Sequence, residues 1–243
     1  AGILPHVVRA QAAPHRFTIG SIELTVLSDG TMQLPLSFVL PRQGRSDIDA
    51  LLQGRGLIGD ALAAQVNVVV LKTADRLVLV DTGGTKDFMP SLGQLSDRFE
   101  SAGFKAESVT DIVLTHAHPD HLWGAVDDLD ESRFAKARIH LSAVEHDFWR
   151  AGGRAEGLPD TLQGMAGGTK RRLALLEPQI ARAQIGREIL PGISLLDTAG
   201  HTPGHVAVLV NSDGQSLVIG GDALSNPLVS FERPDWAWGP DLE

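Results

Sequence analysis

The stretch Thr115-His116-Ala117-His118-Pro119-Asp120-His121 places three histidines and one aspartate within six residues. It directly follows the apolar run Ile112-Val113-Leu114, which reads as a short buried strand. Imidazole and carboxylate are the ligand types that suit zinc and its first-row neighbours. His116 and His118 are two apart, so in an extended segment they project to one side and can grip one ion. Pro119 breaks the strand pattern, and Asp120 then stands where a helix N-cap is expected, with His121 just inside. That turn aims the last two residues elsewhere, toward a second ion.

Outward from this stretch, three more apolar β-type runs end in polar groups. Val66 to Leu71 and Arg76 to Val80 read as a buried hairpin ending in Asp81-Thr82-Gly83-Gly84. Leu195-Leu196-Asp197 leads into Gly200-His201-Thr202-Pro203-Gly204-His205. Val206 to Val210 and Ser216 to Ile219 form a hairpin over Asp213-Gly214 and close on Gly221-Asp222. Alone, Asp81 reads as a turn carboxylate and a Gly-Asp after a strand is commonplace. Strand ends converging at one edge of a sheet sandwich would bring all four together.

The rest of the chain supplies layers. Phe17 to Asp29 alternates as two strands around Gly20-Ser21, with Asp29-Gly30 as a further turn signal and residues 31–45 as loop. Ser46-Asp47 caps a short helix, and residues 91–102 carry apolar groups at helical spacing up to Gly103. Arg138 to Leu141 reads as a strand, with Ser142 capping a helix through Trp149. Residues 151–168 read as glycine-rich loop and residues 170–183 as an amphipathic helix. Trp236 and Trp238 either rim a site or pack beneath further chain.

Composition narrows the function. The 243 residues are 43% hydrophobic and 21% charged, ordinary for a globular chain with a sizeable core. A net charge of −9 disfavours a nucleic-acid surface, which usually needs a basic stripe. No apolar run approaches the ~20 residues of a membrane span. The chain has no Cys and no Tyr, so thiolate ligands, Cys nucleophiles and phenol donors are all excluded. Ala10-Gln11-Ala12 has the small-x-small look of a signal-peptidase site, and residues 1–15 read as an N-terminal arm, a signal-peptide remnant in one reading. The expectation leans to an exported, periplasmic protein over a cytoplasmic one. Residues 16–243 are expected to be one domain.

His116-x-His118-x-Asp120-His121, followed by Gly200-His201-Thr202-Pro203-Gly204-His205 and Gly221-Asp222, resembles the metallo-β-lactamase-fold metallohydrolase superfamily. Within it, Ser28-Asp29-Gly30, Val80-Asp81-Thr82-Gly83 and Asp147-Phe148-Trp149 look most similar to the methyl parathion hydrolase-like branch, neighbour of the quorum-quenching lactonases. The resemblance implies an α+β fold, a four-layer αββα sandwich, with two divalent ions, zinc by expectation. His116, His118 and His201 would hold one ion. Asp120 and His121 would hold the other, with Asp222 bridging. A metal-bound hydroxide would be the nucleophile, with Asp120 and Asp222 as the catalytic carboxylates. Asp81 would orient the cluster by hydrogen bonds and His205 would be structural. Phe88, Trp149 and Leu224 match positions lining an apolar substrate pocket, with core packing as the plainer reading. His140 and His146 fall outside the motif.

The pattern departs from the family in one respect. The superfamily places a further histidine after the bridging aspartate, and here no His follows His205. Either the chain lacks the C-terminal strand and helix that complete the fold, or the second site rests on Asp120, His121, Asp222 and water and binds weakly. The expected substrate is a small ester-like molecule: an aryl phosphotriester such as an organophosphate, an aryl ester or a lactone. A β-lactamase, a mononuclear-iron oxygenase of the same fold and a non-enzymatic truncated scaffold are the alternatives. Neither nucleic acid nor membrane is an expected partner, and a homodimer is left open.

Overall fold

Long alternating runs in the first third of the chain pair into antiparallel ladders. The computed structural model describes residues 13–153, 160–224 and 226–239; His6 and the small-x-small stretch lie outside the described residues. Strand β1 (His15–Ile19) pairs with β2 (Ile22–Pro35), and β2 with β3 (Ala61–Lys72), to which it is joined through the short helices α1 (Leu36–Val39) and α2 (Arg45–Gln53). His15 therefore belongs to the first strand and not to the arm. β4 (Leu77–Val80) returns antiparallel to β3.

From β4 onward the pairing is parallel, which needs crossovers. Helix α3 (Leu95–Ser101) carries the chain to β5 (Asp111–Leu114). The short helix α4 (Pro119–Leu122) precedes β6 (Arg138–Ser142), and α5 (Ala143–Arg150) with α6 (Asp160–Leu176) precedes β7 (Ile180–Ala183). The seven strands lie in the order β1-β2-β3-β4-β5-β6-β7. A second, antiparallel sheet runs β11-β10-β9-β8, from β8 (Glu188–Leu190), β9 (Ile193–Asp197), β10 (Val206–Ser212) and β11 (Gln215–Ile219). Helix α7 (Pro227–Glu232) follows.

Side-chain parity sets the layers. Leu24, Leu71, Val78, Val80 and Val113 face the second sheet and pack on Ile193, Leu195, Val206, Val208 and Val210. Leu79, Ile112, Leu114, Ile139 and Leu141 face the other way, onto Phe99 of α3, Trp149 of α5 and Leu173 and Leu176 of α6. All four residues of β5 are buried, as a parallel strand covered on both faces requires. Among the described residues the apolar clusters join the second sheet only to the first, and Val218 on its outer side is 52% exposed. A helical layer over that side is not among the described residues.

Several expected elements differ. Asp29-Gly30 is a β-bulge within β2 and not a chain reversal, so residues 31–35, expected as loop, continue the strand. The helix expected over 170–183 begins at Asp160 and ends at Leu176, where Pro178 falls in a 3-10 turn, and Ile180–Ala183 is the edge strand β7. Residues 160–168, expected as loop, are helical. Gly168 is there for a close approach, since a Cβ would stand 2.4 Å from the Trp123 ring. Trp236 is buried with Leu36, Val39, Leu52 and Val229, and Trp238 packs beside that cluster, so both serve packing.

One buried polar knot ties the parallel strands. Asp111 on β5, 2% exposed, accepts from Arg76 Nη1 at 2.8 Å and meets His140 Nε2 of β6 at 2.9 Å. Burial pushes its carboxyl up, and the bonds from His140, Thr110 and Arg76 outweigh that and hold it below the usual range. A depressed carboxyl contributes stability that is present above its unfolded pKa of ~3.9 and lost as pH falls through the folded value. Asp111→Asn is therefore expected to lower the thermal midpoint at pH 5, with the gap closing below about pH 4. An Asp111→Asn protein as stable as the wild type at pH 5 would contradict this placement.

Candidate metal centre

Four loops meet at one edge of the two sheets, each fed by a strand end. They are the Asp81 turn after β4, residues 115–121 after β5, residues 198–205 between β9 and β10, and Asp222 after β11. Val206 N donates to Thr115 O at 2.9 Å and so stitches the third loop to the second. His118, and not Asp120, is the N-cap of α4; Pro119 takes the first helical position and Asp120 and His121 follow. The missing amide hydrogen of proline is harmless at that position. One turn of helix separates the aim of His116 and His118 from that of Asp120 and His121.

Three imidazole nitrogens converge. His118 Nδ1 lies 2.9 Å from His116 Nε2 and 2.9 Å from His201 Nε2. A ring nitrogen has a single in-plane site, occupied by one hydrogen or one lone pair. Nδ1 of His118 therefore cannot form a good hydrogen bond to both neighbours, whereas a cation between the three rings satisfies all of them. Asp222 joins with both oxygens. Its Oδ2 stands 3.3 Å from His201 Nε2 and its Oδ1 3.3 Å from His121 Nε2. Asp120 Oδ2 is likewise 3.3 Å from His121 Nε2. Among the described residues, two groups have ligand atoms within 4.8 Å of one another: His116, His118 and His201, and His116, His121 and Asp222. Nitrogen and carboxylate donors of this number suit a divalent ion such as zinc.

The charge balance agrees at the three converging rings. Burial, then the neighbouring imidazoles, hold His116 well below its ordinary pKa. His118 is pushed down to about 3, again by burial first. His201 is lowered by burial as well. These rings are neutral with lone pairs available at neutral pH, the form a metal requires. His121 goes the other way: burial lowers it, and Asp120, Asp222 and Asp81 together raise it well above the ordinary value. Burial raises Asp222, but His121 and His201 outweigh this and hold it below the ordinary carboxylate range.

Asp81 and His205 orient these groups. Asp81 has a left-handed backbone at φ 64°, a costly conformation that Asp tolerates better than most residues. Its Oδ1 accepts from Thr115 N at 2.8 Å, and its Oδ2 receives His121 Nδ1 at 2.8 Å, which turns His121 Nε2 toward the carboxylates. His205 Nε2 accepts from Asp222 N at 3.0 Å, so its hydrogen is on Nδ1, donated to Thr198 Oγ1 at 2.7 Å. Its pKa, lowered to about 4 chiefly by burial, fits that neutral ring.

The pocket residues divide. The Trp149 ring stands edge-on to His118 with centroids 5.5 Å apart. Leu224 is 49% exposed just after Asp222. Phe88 packs edge-on against Trp123 within the apolar core. His140 and His146 lie outside the cluster, bonded to Asp111 and to Glu177 respectively. A polar cavity of about 690 Å³, lined in part by Thr85, Lys86, Arg133 and Arg172, is bordered by none of the cluster residues. Sequence reasoning missed Glu145, which is fully buried and bonds two of the four loops. A glutamate in the first turn of an amphipathic helix reads as a dipole partner, and nothing in its spacing signals burial.

The Metallo-beta-lactamase superfamily profile matches residues 62–241. The chain belongs to the metallo-beta-lactamase superfamily. Its relatives within this superfamily include "Probable metallo-hydrolase Rv2300c" of Mycobacterium tuberculosis, 30% identical over 187 residues, which cover 67% of this chain and 57% of the relative. An N-acyl homoserine lactonase of Bacillus cereus is 26% identical over 181 residues, covering 66% of this chain and 64% of that protein. The matched part thus spans less than two thirds of these relatives' length. Among solved structures, AidC, a dizinc quorum-quenching lactonase in complex with a product, is similar at TM-score 0.83 and 26% identity, over 94% of this chain and 80% of AidC. The hydrolase AbOPH of the beta lactamase superfamily is similar at TM-score 0.85 and 26% identity, over 95% and 80%.

Proposed function

We propose that this superfamily member is a metal-dependent hydrolase of small ester-like molecules, with lactones, aryl esters and aryl phosphotriesters as the substrate classes. The observation that carries this reading is the convergence of His116 Nε2, His118 Nδ1 and His201 Nε2 around one point. His116, His118 and His201 would hold one divalent ion, and Asp120, His121 and Asp222 a second, with Asp222 between them. When bound, such ions act as Lewis acids toward a carbonyl or phosphoryl oxygen and make water a nucleophile at neutral pH. No side-chain nucleophile is needed, in keeping with a chain that has no Cys.

The protein's own groups do the positioning. Asp81 fixes the ring of His121, and His205 fixes the backbone that carries Asp222. Asp120 and Asp222 flank His121 Nε2 and would be the carboxylates that hold a proton near the reacting atoms. Trp149 beside His118 and Leu224 beyond Asp222 would form the apolar flanks. The similarity to AidC supports the lactone class. The resemblance of the residues around Asp29 and Asp81 and of the Asp147-Phe148-Trp149 run to the methyl parathion hydrolase-like branch supports the aryl phosphotriester class.

The test is an assay of zinc-loaded protein against an acyl-homoserine lactone, an aryl ester, an aryl phosphotriester and a chromogenic cephalosporin. Chelator-sensitive turnover of at least one of the first three is expected, and the ranking among them assigns the class. Turnover of the cephalosporin alone, or of none, overturns the proposal.

A further inference from the structure

Glu145 lies in the first turn of α5, 0% exposed, and none of the sequence motifs includes it. Its two oxygens accept four hydrogen bonds. Oε1 takes Ala117 N at 3.0 Å and Trp149 Nε1 at 2.6 Å. Oε2 takes Thr202 Oγ1 at 2.6 Å and Gly204 N at 3.0 Å. Four acceptor positions all filled by donors is the pattern of an ionised carboxylate, and it offsets much of the cost of burying the charge.

The positions of these donors matter more than their number. Ala117 sits between His116 and His118, in the loop after β5. Thr202 and Gly204 flank the turn after His201, in the loop before β10. A single side chain therefore bonds the backbone of the loop that carries two of the converging histidines and the loop that carries the third. The Ala117 peptide is held from both sides, because its carbonyl accepts from Thr169 Oγ1 at 3.1 Å. The third loop is pressed so close to α5 that a Cβ on Gly204 would stand 2.1 Å from Glu145 N. Trp149, whose ring edge meets His118, is anchored by the same carboxylate.

We propose that Glu145 is the positioning residue that sets the spacing between His118 and His201 and, through Trp149, the wall beside them. This rests on the reading of the three histidines as a metal site. Glu145 touches neither a ligand atom nor the reacting centre; it acts through the loops. The Val206–Thr115 backbone bond joins the same loops further back, so the loops stay joined without Glu145 and lose the side chain that sets their spacing.

The experiment measures zinc affinity by chelator competition, the d–d spectrum of the cobalt-substituted protein, and kcat and KM, for the wild type, Glu145→Gln and Glu145→Asp. Glutamine offers one acceptor oxygen and sets an NH2 against two of the four donors. Glu145→Gln is expected to weaken zinc binding and lower kcat by tenfold to a hundredfold, with KM little changed and the cobalt spectrum altered. Glu145→Asp keeps both oxygens and is expected to recover part of each. Should Glu145→Gln not fold, Thr202→Val removes one bond and is expected to weaken zinc several-fold. Zinc affinity and kcat within about twofold of wild type in whichever variant folds overturn the role of Glu145 while leaving the metal site standing. A wild-type protein that binds no zinc overturns both readings.

Discussion

His116→Ala is expected to lower kcat/KM on ester-like substrates by roughly a thousandfold or more. The magnitude follows from losing several kcal/mol of metal-dependent transition-state stabilisation, at ~1.4 kcal/mol per tenfold. His116 is the histidine with most at stake. It belongs to both groups of ligand atoms that lie within 4.8 Å, whereas His118 and His201 belong to one and His121 to the other. Its ring is fully buried, 4.1 Å by centroid from His121 and 4.8 Å from His201. Alanine removes one of the three converging nitrogens. Steady-state kinetics on the zinc-loaded variant checks this. Activity within tenfold of wild type would place the chemistry elsewhere.

Asp29→Ala is expected to cost about 3 kcal/mol or more of folding stability, seen as a thermal midpoint lower by roughly 6–12 °C. Asp29 is fully buried at the bulge of β2. Its Oδ2 accepts from Gly84 N at 3.0 Å and Gly93 N at 3.0 Å, and its Oδ1 from Leu95 N at 2.8 Å. These three amides are the two ends of the segment between the Asp81 turn and α3. A Cβ on Gly83 would stand 2.6 Å from Asp29 Cγ, so this turn packs directly on the carboxylate. Alanine would leave three amide donors with no acceptor in a tight space, at about 1 kcal/mol or more each, and a chain of this size loses about 2–4 °C per kcal/mol. Asp29→Asn keeps one acceptor and should fall between. An Asp29→Ala protein within 1 kcal/mol of wild type by urea unfolding would show that these bonds carry little.

The centre was far more legible in the sequence than the scaffold around it. His116, His118, Asp120 and His121 follow β5, His201 lies in the loop after β9 and Asp222 follows β11, and strand ends share an edge. That is a long-range inference which local patterns can carry. The helix over 160–176 was hidden by Gly164, Gly167 and Gly168, which weaken helical propensity, although Gly168 here leaves room for Trp123. β7 was hidden because Ile180 and Ala183 fall at helical spacing, and only pairing with β6 makes them a strand. Asp29-Gly30 carries turn chemistry, yet β3 runs alongside both halves of β2 and holds the strand straight through the bulge. Glu145 was invisible for a related reason: its partners lie in two distant loops, and its own helix gives no sign of them.

The most direct measurement is zinc stoichiometry on purified, reconstituted protein after excess metal is removed. At least one ion per chain is expected for the wild type, with loss in His116→Ala and His201→Ala and retention in His15→Ala, whose ring is exposed on the edge strand β1. Less than about one ion per wild-type chain, or equal retention by all three variants, would contradict a metal centre at the convergence of His116, His118 and His201.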